Sequence, residues 1–371
     1  MNDAWIANRM AKIEASGIRR AFDMAKAMKD PIDLSIGVPD FDVAEPVKQA
    51  AIEAIRQGRN QYTVTQGIPE LREQLQAAVD RQFGHADRQV LITSGTAGGL
   101  LLGLCSVIDP GDEVIIFDPY FVMYQNQVTL AGGTSVLVDT APDFRLRADR
   151  VAAAITHRTK CVIVNSPANP TGVVATAEEM RELAELCRRR DILLISDEVY
   201  RAFCYDRPFA SPASWNEDVL VVDGFSKAHG MTGWRLGFAH GPSRLIQEMA
   251  KLQQFTFVCA PSPFQYAGVA ALSEDLTPHL EAYRRKRDRT VSALRELYDL
   301  PTPEGAFYAF PRAPWGSGSE FAAAAAQRNL LIIPGQVFSR ADSHFRISYA
   351  APDAVLERGL DVLRDLAQNP Q

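Results

Sequence analysis

A chain of 371 residues, 47% hydrophobic and 23% charged, has the make-up of a globular protein with room for one large and one small domain. A net charge of −6 and a pI near 5.6 leave no basic excess to neutralise phosphates, which excludes nucleic acid as a partner. The start, Met1-Asn2-Asp3-Ala4, lacks a signal pattern, and no apolar run approaches the roughly 18 residues of a membrane span. The cysteines, Cys105, Cys161, Cys187, Cys204 and Cys259, are scattered without C-x-x-C spacing. They read as reduced thiols, mostly small core residues, in a cytoplasmic protein without a metal site.

Residues 1–30 read as an amphipathic arm, with Ile13, Ile18, Phe22, Ala25 and Met28 at roughly helical spacing and Pro31 at its end. A short strand within 32–42 runs into a Gly/Pro turn. Helices follow from Pro46 to Gly58 and from Pro69 to about Phe83. From residue 90, strands (90–92, 113–117, 134–138, 160–165, 192–196) alternate with helices (97–107, 120–130, 147–156, 177–190), and strands 219–222 and 236–240 follow. Short apolar strands separated by helices predict a mostly parallel sheet covered on both faces, with ligands beyond the strands' carboxyl ends. A helical stretch over about 242–298 leads to an α+β tail, with strands at 306–310 and 344–349 and a helix near 319–329. The basic clusters at 188–190 and 284–287 lie in helical patterns and read as solvated faces.

Polar residues gather just after several strands. Thr93-Ser94-Gly95-Thr96-Ala97-Gly98-Gly99 opens a helix with small residues that let backbone N–H groups approach an anion. It matches neither G-x-G-x-x-G nor G-x-x-x-x-G-K-[ST]. Ser166-Pro167-Ala168-Asn169-Pro170-Thr171-Gly172 is a rigid turn that can hold the Asn169 amide in place, although Asn-Pro also simply initiates turns. In Asp197-Glu198-Val199-Tyr200, the aspartate reads either as a helix N-cap or as a carboxylate facing a buried cation. Gly224-Phe225-Ser226-Lys227-Ala228-His229-Gly230-Met231-Thr232-Gly233-Trp234-Arg235 places a lysine at a buried strand's end. Desolvation there lowers an amine's pKa from its ordinary value of about 10.4 and frees it as a nucleophile. An arbitrary loop lysine sits in water instead.

Together, Asn-Pro-Thr-Gly, Asp-Glu-Val-Tyr and Ser-Lys-x-x-x-Met-Thr-Gly-Trp-Arg resemble the class I/II aminotransferases, fold type I enzymes of pyridoxal 5′-phosphate. The resemblance runs from Gly37 to Arg346. It implies an α/β fold: a large domain (42–275) with a mostly parallel seven-stranded sheet between helices, and a small α+β domain (1–41 plus 276–371) that includes the N-terminal arm. It also implies transfer of an amino group from an α-amino acid to a 2-oxo acid such as 2-oxoglutarate, by ping-pong kinetics. Lys227 then bonds the cofactor aldehyde and acts as general acid–base, and Asp197 pairs with the pyridine nitrogen. Asn169 and Tyr200 reach the phenolate oxygen, and Phe121 stacks on the ring. Gly95, Thr96, Ala97 and Arg235 hold the phosphate. Tyr62 reaches the phosphate from a neighbouring subunit, which implies a homodimer. Arg346, with Gly37 and Asn169, binds the substrate carboxylate.

One position departs from the family pattern. Many relatives carry a phosphate-binding hydroxyl three residues before the lysine, where this chain has Gly224, and Ser226 is a candidate replacement. The same residues also serve a carbon–sulfur β-lyase acting on cystathionine-like substrates. A cofactor-sensing transcription factor needs an additional DNA-binding domain, for which the arm leaves no space. The motifs do not choose the substrate. Arg19, Arg20 and Phe22 of the arm, with Tyr120 and Phe121, are candidate lining residues for its side chain.

Overall fold

The computed structural model describes residues 5–13, 17–18, 26 and 28–369. The arm residues Arg19, Arg20, Phe22 and Ala25 lie outside them. Of the described arm, Asn8–Lys12 forms a 3₁₀ turn that buries no residue.

The strands are β1 (Ile32–Asp33), β2 (Arg88–Thr93), β3 (Glu113–Asp118), β4 (Thr134–Asp139), β5 (Thr159–Asn165), β6 (Leu193–Asp197), β7 (Leu220–Gly224), β8 (Gly237–Pro242), β9 (Tyr308–Ala309), β10 (Leu330–Leu331), β11 (Ile333–Pro334) and β12 (Phe345–Ser348). Seven of them form one sheet in the order β2-β8-β7-β6-β5-β3-β4. Only β8 runs against its neighbours; it pairs antiparallel with β2 and β7, and the other pairings are parallel. The mostly parallel seven-stranded expectation therefore holds.

The sheet is buried on both faces because its apolar residues do not alternate with polar ones. On β3, Val114 and Ile116 pack into one core with Leu100, Leu104 and Met249, while Ile115 and Phe117 pack into another with Met180, Leu183 and Val221. Fully burying each such side chain contributes roughly 1.5–3 kcal/mol. Local signals set the helix ends. Pro69–Phe83 starts on a proline and stops at Gly84, whose φ of 67° is left-handed. Ala177–Arg189 is held by a reciprocal cap between Thr176 and Glu179.

The C-terminal part takes in the N-terminal strand β1, which pairs parallel with β10, beside the antiparallel sheet β11-β12-β9. Its core joins Ile32 and Leu34 to Tyr283, Phe307, Phe345 and Leu360. No helix among the described residues is long and apolar enough to cross a membrane.

Three expectations need correction. The helix placed at 120–130 spans Met123–Ala131 instead, because the Tyr120 N–H donates to the Phe338 carbonyl (2.8 Å) and holds Tyr120 out of the helix. The stretch 242–298 is three helices, Ser243–Phe255, Ser262–Ala271 and Thr277–Leu294, separated around Pro261 and at 272–276. Half of the basic cluster 284–287 is buried: Lys286 pairs with Asp40, and Arg287 holds Asp206 at 2.6 Å and the Pro303 carbonyl at 2.6 Å. Thr277–Leu294 packs inward on a side where a solvated face was expected. Of the cysteines, Cys161 and Cys187 are core residues and Cys105 is exposed; all are free thiols.

Candidate active site

The carboxyl ends of β5, β6 and β7 open onto a cavity of about 310 Å³. Its lining includes Gly37, Thr96, Ala97, Phe121, Asn169, Asp197, Tyr200, Ser226, Lys227, Arg235 and Arg346. Residues spread over more than three hundred positions thus meet at one rim, where open α/β sheets bind ligands.

Lys227 lies on a single helical turn, Phe225–Ala228, directly after β7. Its Nζ donates to the Gly37 carbonyl at 2.6 Å. Burial, with the nearby cations Arg346 and Arg235, pushes its pKa down to about 8, against the pull of Asp197. A substantial fraction of the amine is therefore unprotonated in mildly alkaline solution.

Asp197 ends β6 and is 3% exposed. Burial pushes its carboxyl up to about 6, although Tyr124 donates a 2.7 Å hydrogen bond to Oδ2 and the Val199 N–H donates at 3.3 Å. Among the charged groups acting on it, Lys227 favours the ionised form and Asp223 opposes it. A carboxylate kept this dry is suited to a cationic partner.

Asn169 is fixed from behind: its N–H donates to Asn165 Oδ1 (2.9 Å), and Asn165 Nδ2 donates to the Asp197 carbonyl (3.0 Å). The Tyr200 hydroxyl meets that of Tyr308 at 2.8 Å. Arg346, on β12, is 1% exposed and lies between the rings of Tyr308 (4.5 Å) and Phe338 (4.6 Å). Its Nη1 donates to Asn169 Oδ1 (2.9 Å) and its Nη2 to the Ser35 carbonyl (2.7 Å), while Nε is buried without a partner. Burial lowers its pKa.

At the other end of the cavity, Arg235 takes a left-handed φ of 54° and donates to the Thr232 carbonyl at 2.9 Å. Gly95 begins the helix Gly95–Val107 under this guanidinium; a Cβ at that position would stand 2.5 Å from Arg235 Nη2. The Thr96 hydroxyl is buried without a partner.

Two expected residues stand apart. Tyr62 is 83% exposed, and neither it nor Gly95 is among the residues that line the cavity. Three residues escaped the sequence reading: Tyr124, Asn165 and Tyr308. Tyr124 stands one helical turn after Phe121 and Asn165 four residues before Asn169, a weak signal in each case. Tyr308 carried none beyond its place in an aromatic strand.

With this geometry in view, the comparisons are consistent. Residues 29–363 match the family described as aminotransferase class I and II. The chain is 37% identical to a putative aminotransferase of Bacillus subtilis, covering 96% of this chain and 97% of the relative. It is 36% identical to aromatic-amino-acid aminotransferase 2 of Thermococcus litoralis, over 96% of each chain. The solved aspartate aminotransferase of Thermus thermophilus with maleate superposes with a TM-score of 0.93 at 34% identity, covering 97% of this chain and 99% of that one. The chain belongs to the class I and II aminotransferases. It is a pyridoxal-phosphate-dependent transaminase that moves an amino group from an amino acid to a 2-oxo acid.

Proposed function

We propose that Lys227 is the residue that bonds the cofactor and shuttles the substrate's Cα proton. The observation that carries this reading is the buried amine with its lowered pKa, set between Asp197 and the two arginines. When bound, pyridoxal phosphate supplies an aldehyde carbon for an amine and a conjugated ring that delocalises an electron pair. The donor set fits it. Asp197 holds the pyridine nitrogen as a cation, and this contact relieves the cost of the carboxylate's burial. Asn169 and Tyr200 hydrogen-bond the phenolate oxygen, and Phe121 covers the ring. Thr96, Ala97 and Arg235, with the Gly95 backbone, hold the phosphate.

Arg346 grips the substrate's α-carboxylate with two N–H donors, aided by Gly37 and by Asn169, its present partner. That grip orients the Cα–H bond toward Lys227 Nζ, which accepts the proton as general base. Donor amino acid and acceptor oxo acid use the same carboxylate clamp in turn, so kinetics are ping-pong. The four-carbon dicarboxylate maleate bound in the Thermus thermophilus relative supports 2-oxoglutarate as acceptor. For the donor, the described wall of Ile18, Ile36, Val38 and Met123 favours an apolar or aromatic side chain. No observation favours the β-lyase outcome.

The homodimer reading is supported by an outward-facing apolar set, Tyr62, Val64, Phe255, Phe257 and Val258, on which a second copy can pack. Tyr62 then reaches the cofactor phosphate of that copy. The division into 42–275 and 1–41 plus 276–371 is supported by a core built mainly from Ile32, Leu34 and residues 283–366, onto which Val199, Tyr200, Phe203 and Tyr205 of the large part pack. Five free thiols support a cytoplasmic setting.

The test is a half-reaction panel that follows cofactor absorbance as each amino acid is added without acceptor. Phenylalanine, tyrosine or leucine reacting at least tenfold faster than aspartate is the expected result. Aspartate leading the panel overturns the apolar-donor reading, and turnover surviving in Lys227→Ala overturns the lysine's role.

A further inference from the structure

Tyr308 opens β9 and faces Ser348 across the antiparallel pair with β12. Arg346 stands two residues before Ser348, so it projects from the same face of that sheet, diagonal to Tyr308. This register explains why the guanidinium carbon lies 4.5 Å from the centre of the Tyr308 ring. Tyr308 is 1% exposed, yet it lines the cavity.

Three site groups from distant parts of the chain meet this one side chain. Beside Arg346 is Tyr200, whose ring stands edge-on at 5.6 Å and whose hydroxyl lies 2.8 Å from that of Tyr308. The third is Gly37, whose carbonyl accepts from Lys227 Nζ at 2.6 Å. A Cβ at Gly37 would stand 2.2 Å from the Tyr308 hydroxyl oxygen and 3.1 Å from Cζ. The ring is packed against Arg346 and Tyr200, so its hydroxyl holds the space that a side chain at position 37 would need.

Two hydroxyls 2.8 Å apart share one hydrogen, and each oxygen has only one to give. If Tyr200 donates to Tyr308, it has no hydrogen left for a second acceptor. If Tyr308 donates, the Tyr200 hydrogen is free to turn into the cavity. Burial raises the pKa of both groups, which keeps both hydrogens in place, while the Arg346 cation pulls against that rise at each.

We propose that Tyr308 is a positioning residue: its hydroxyl donates to Tyr200 and directs the Tyr200 hydrogen to the cofactor's phenolate oxygen, while its ring backs the Arg346 guanidinium. One side chain thus sets the geometry of both the ring contact and the carboxylate clamp. The inference deepens, and rests on, the reading that Tyr200 reaches the phenolate oxygen.

The test titrates the absorbance of the pyridoxal-phosphate-loaded protein against pH. A hydrogen bond donated to the phenolate oxygen stabilises the deprotonated chromophore, so losing it raises the pH of the absorbance change. Tyr200→Phe should raise it by about one unit, and Tyr308→Phe by about 0.3–1 unit in the same direction. The double variant should match Tyr200→Phe within about 0.3 unit, because the second hydroxyl acts through the first. The KM for the amino acid should stay within about twofold in Tyr308→Phe, which keeps the ring, and rise about threefold to thirtyfold in Tyr308→Leu. No shift in Tyr308→Phe, or shifts that add in the double variant, overturns the proposal while Tyr200 keeps its role. No shift in Tyr200→Phe removes the reading of Tyr200 and the inference with it. Equal KM values in Tyr308→Leu and Tyr308→Phe overturn the ring's part.

Discussion

Two of the buried arginines stand at opposite ends of the same architecture, Arg88 at 4% exposure and Arg346 at 1%. Arg88 opens β2, at the end of the sheet away from the cavity. It donates to His240 Nδ1 (2.7 Å) and to the carbonyls of Glu217 (2.9 Å), Val219 (2.6 Å) and His240 (3.3 Å). Burial lowers it to about 10, and the same burial together with Arg88 keeps His240 neutral. Arg346 has suffered the same dehydration but keeps Nε unpartnered and leans on Asn169, a side chain able to turn to another donor. Burial of a cation does not by itself mark a site. A buried cation completed by backbone carbonyls is scaffold; one left incomplete at a cavity wall is waiting for an anion.

Four variants sharpen or break that contrast. The largest effect belongs to Lys227→Ala, where turnover should fall by more than about 10⁴-fold. Its amine titrates near 8 in the folded chain against 10.5 ordinarily, so the unfolded chain binds more protons between those values. Stability of the apoprotein should therefore rise with pH across that window, and urea melts of Lys227→Ala should lose the rise.

Asp197→Asn comes next, with turnover down about 10²–10³-fold, on the scale of losing one preorganised electrostatic partner. Its carboxyl titrates near 6, above its ordinary 3.8, so the folded state carries an ionisation penalty above pH 6 that is relieved as pH falls toward 3.8. The asparagine variant's apoprotein should thus be more stable at pH 7, by on the order of 2 kcal/mol, with the gain fading in acid. A less stable variant at pH 7 would contradict the buried-charge account.

Arg346→Lys keeps the charge but loses the fork, and should lower kcat/KM tenfold to a hundredfold, chiefly through KM for the amino acid. Arg88→Met should leave kcat and cofactor affinity within about twofold while costing roughly 1–3 kcal/mol of stability, as the freed carbonyls go unpaired. If calorimetry and steady-state kinetics find the two arginines exchanging these signatures, the distinction between completed and incomplete cations fails.

Much of the site was legible because strand ends deliver motif residues in chain order. Asn169, Asp197 and Lys227 each follow a strand whose apolar run is visible in the sequence, so a common rim was implied before any coordinate. The residues that escaped are those whose role exists only across the fold. Tyr124 matters through Asp197, 73 positions away, and Tyr308 through Tyr200, 108 away. Arg88 escaped for the same reason, its partners lying more than a hundred positions on. Element ends were misjudged where a tertiary hydrogen bond overrode local preference, as when Phe338 took the N–H of Tyr120. Lys286 and Arg287 looked solvated because composition records charge but not the carboxylates that fold onto it.

The reversed direction of β8 has a consequence for how this chain can be rebuilt. The parallel neighbours in the sheet's centre are joined by crossovers that return the chain to the far rim. Between β7 and β8 the chain makes a hairpin, so Lys227 and Arg235 leave and re-enter the sheet at the same rim within a dozen residues. On the roles proposed for Lys227 and Arg235, the covalent and phosphate contacts of one cofactor are tied to a single short loop. Its length is a ruler for the distance between them. Insertions there are predicted to be intolerable, whereas the distant loops between crossovers can lengthen without moving either group.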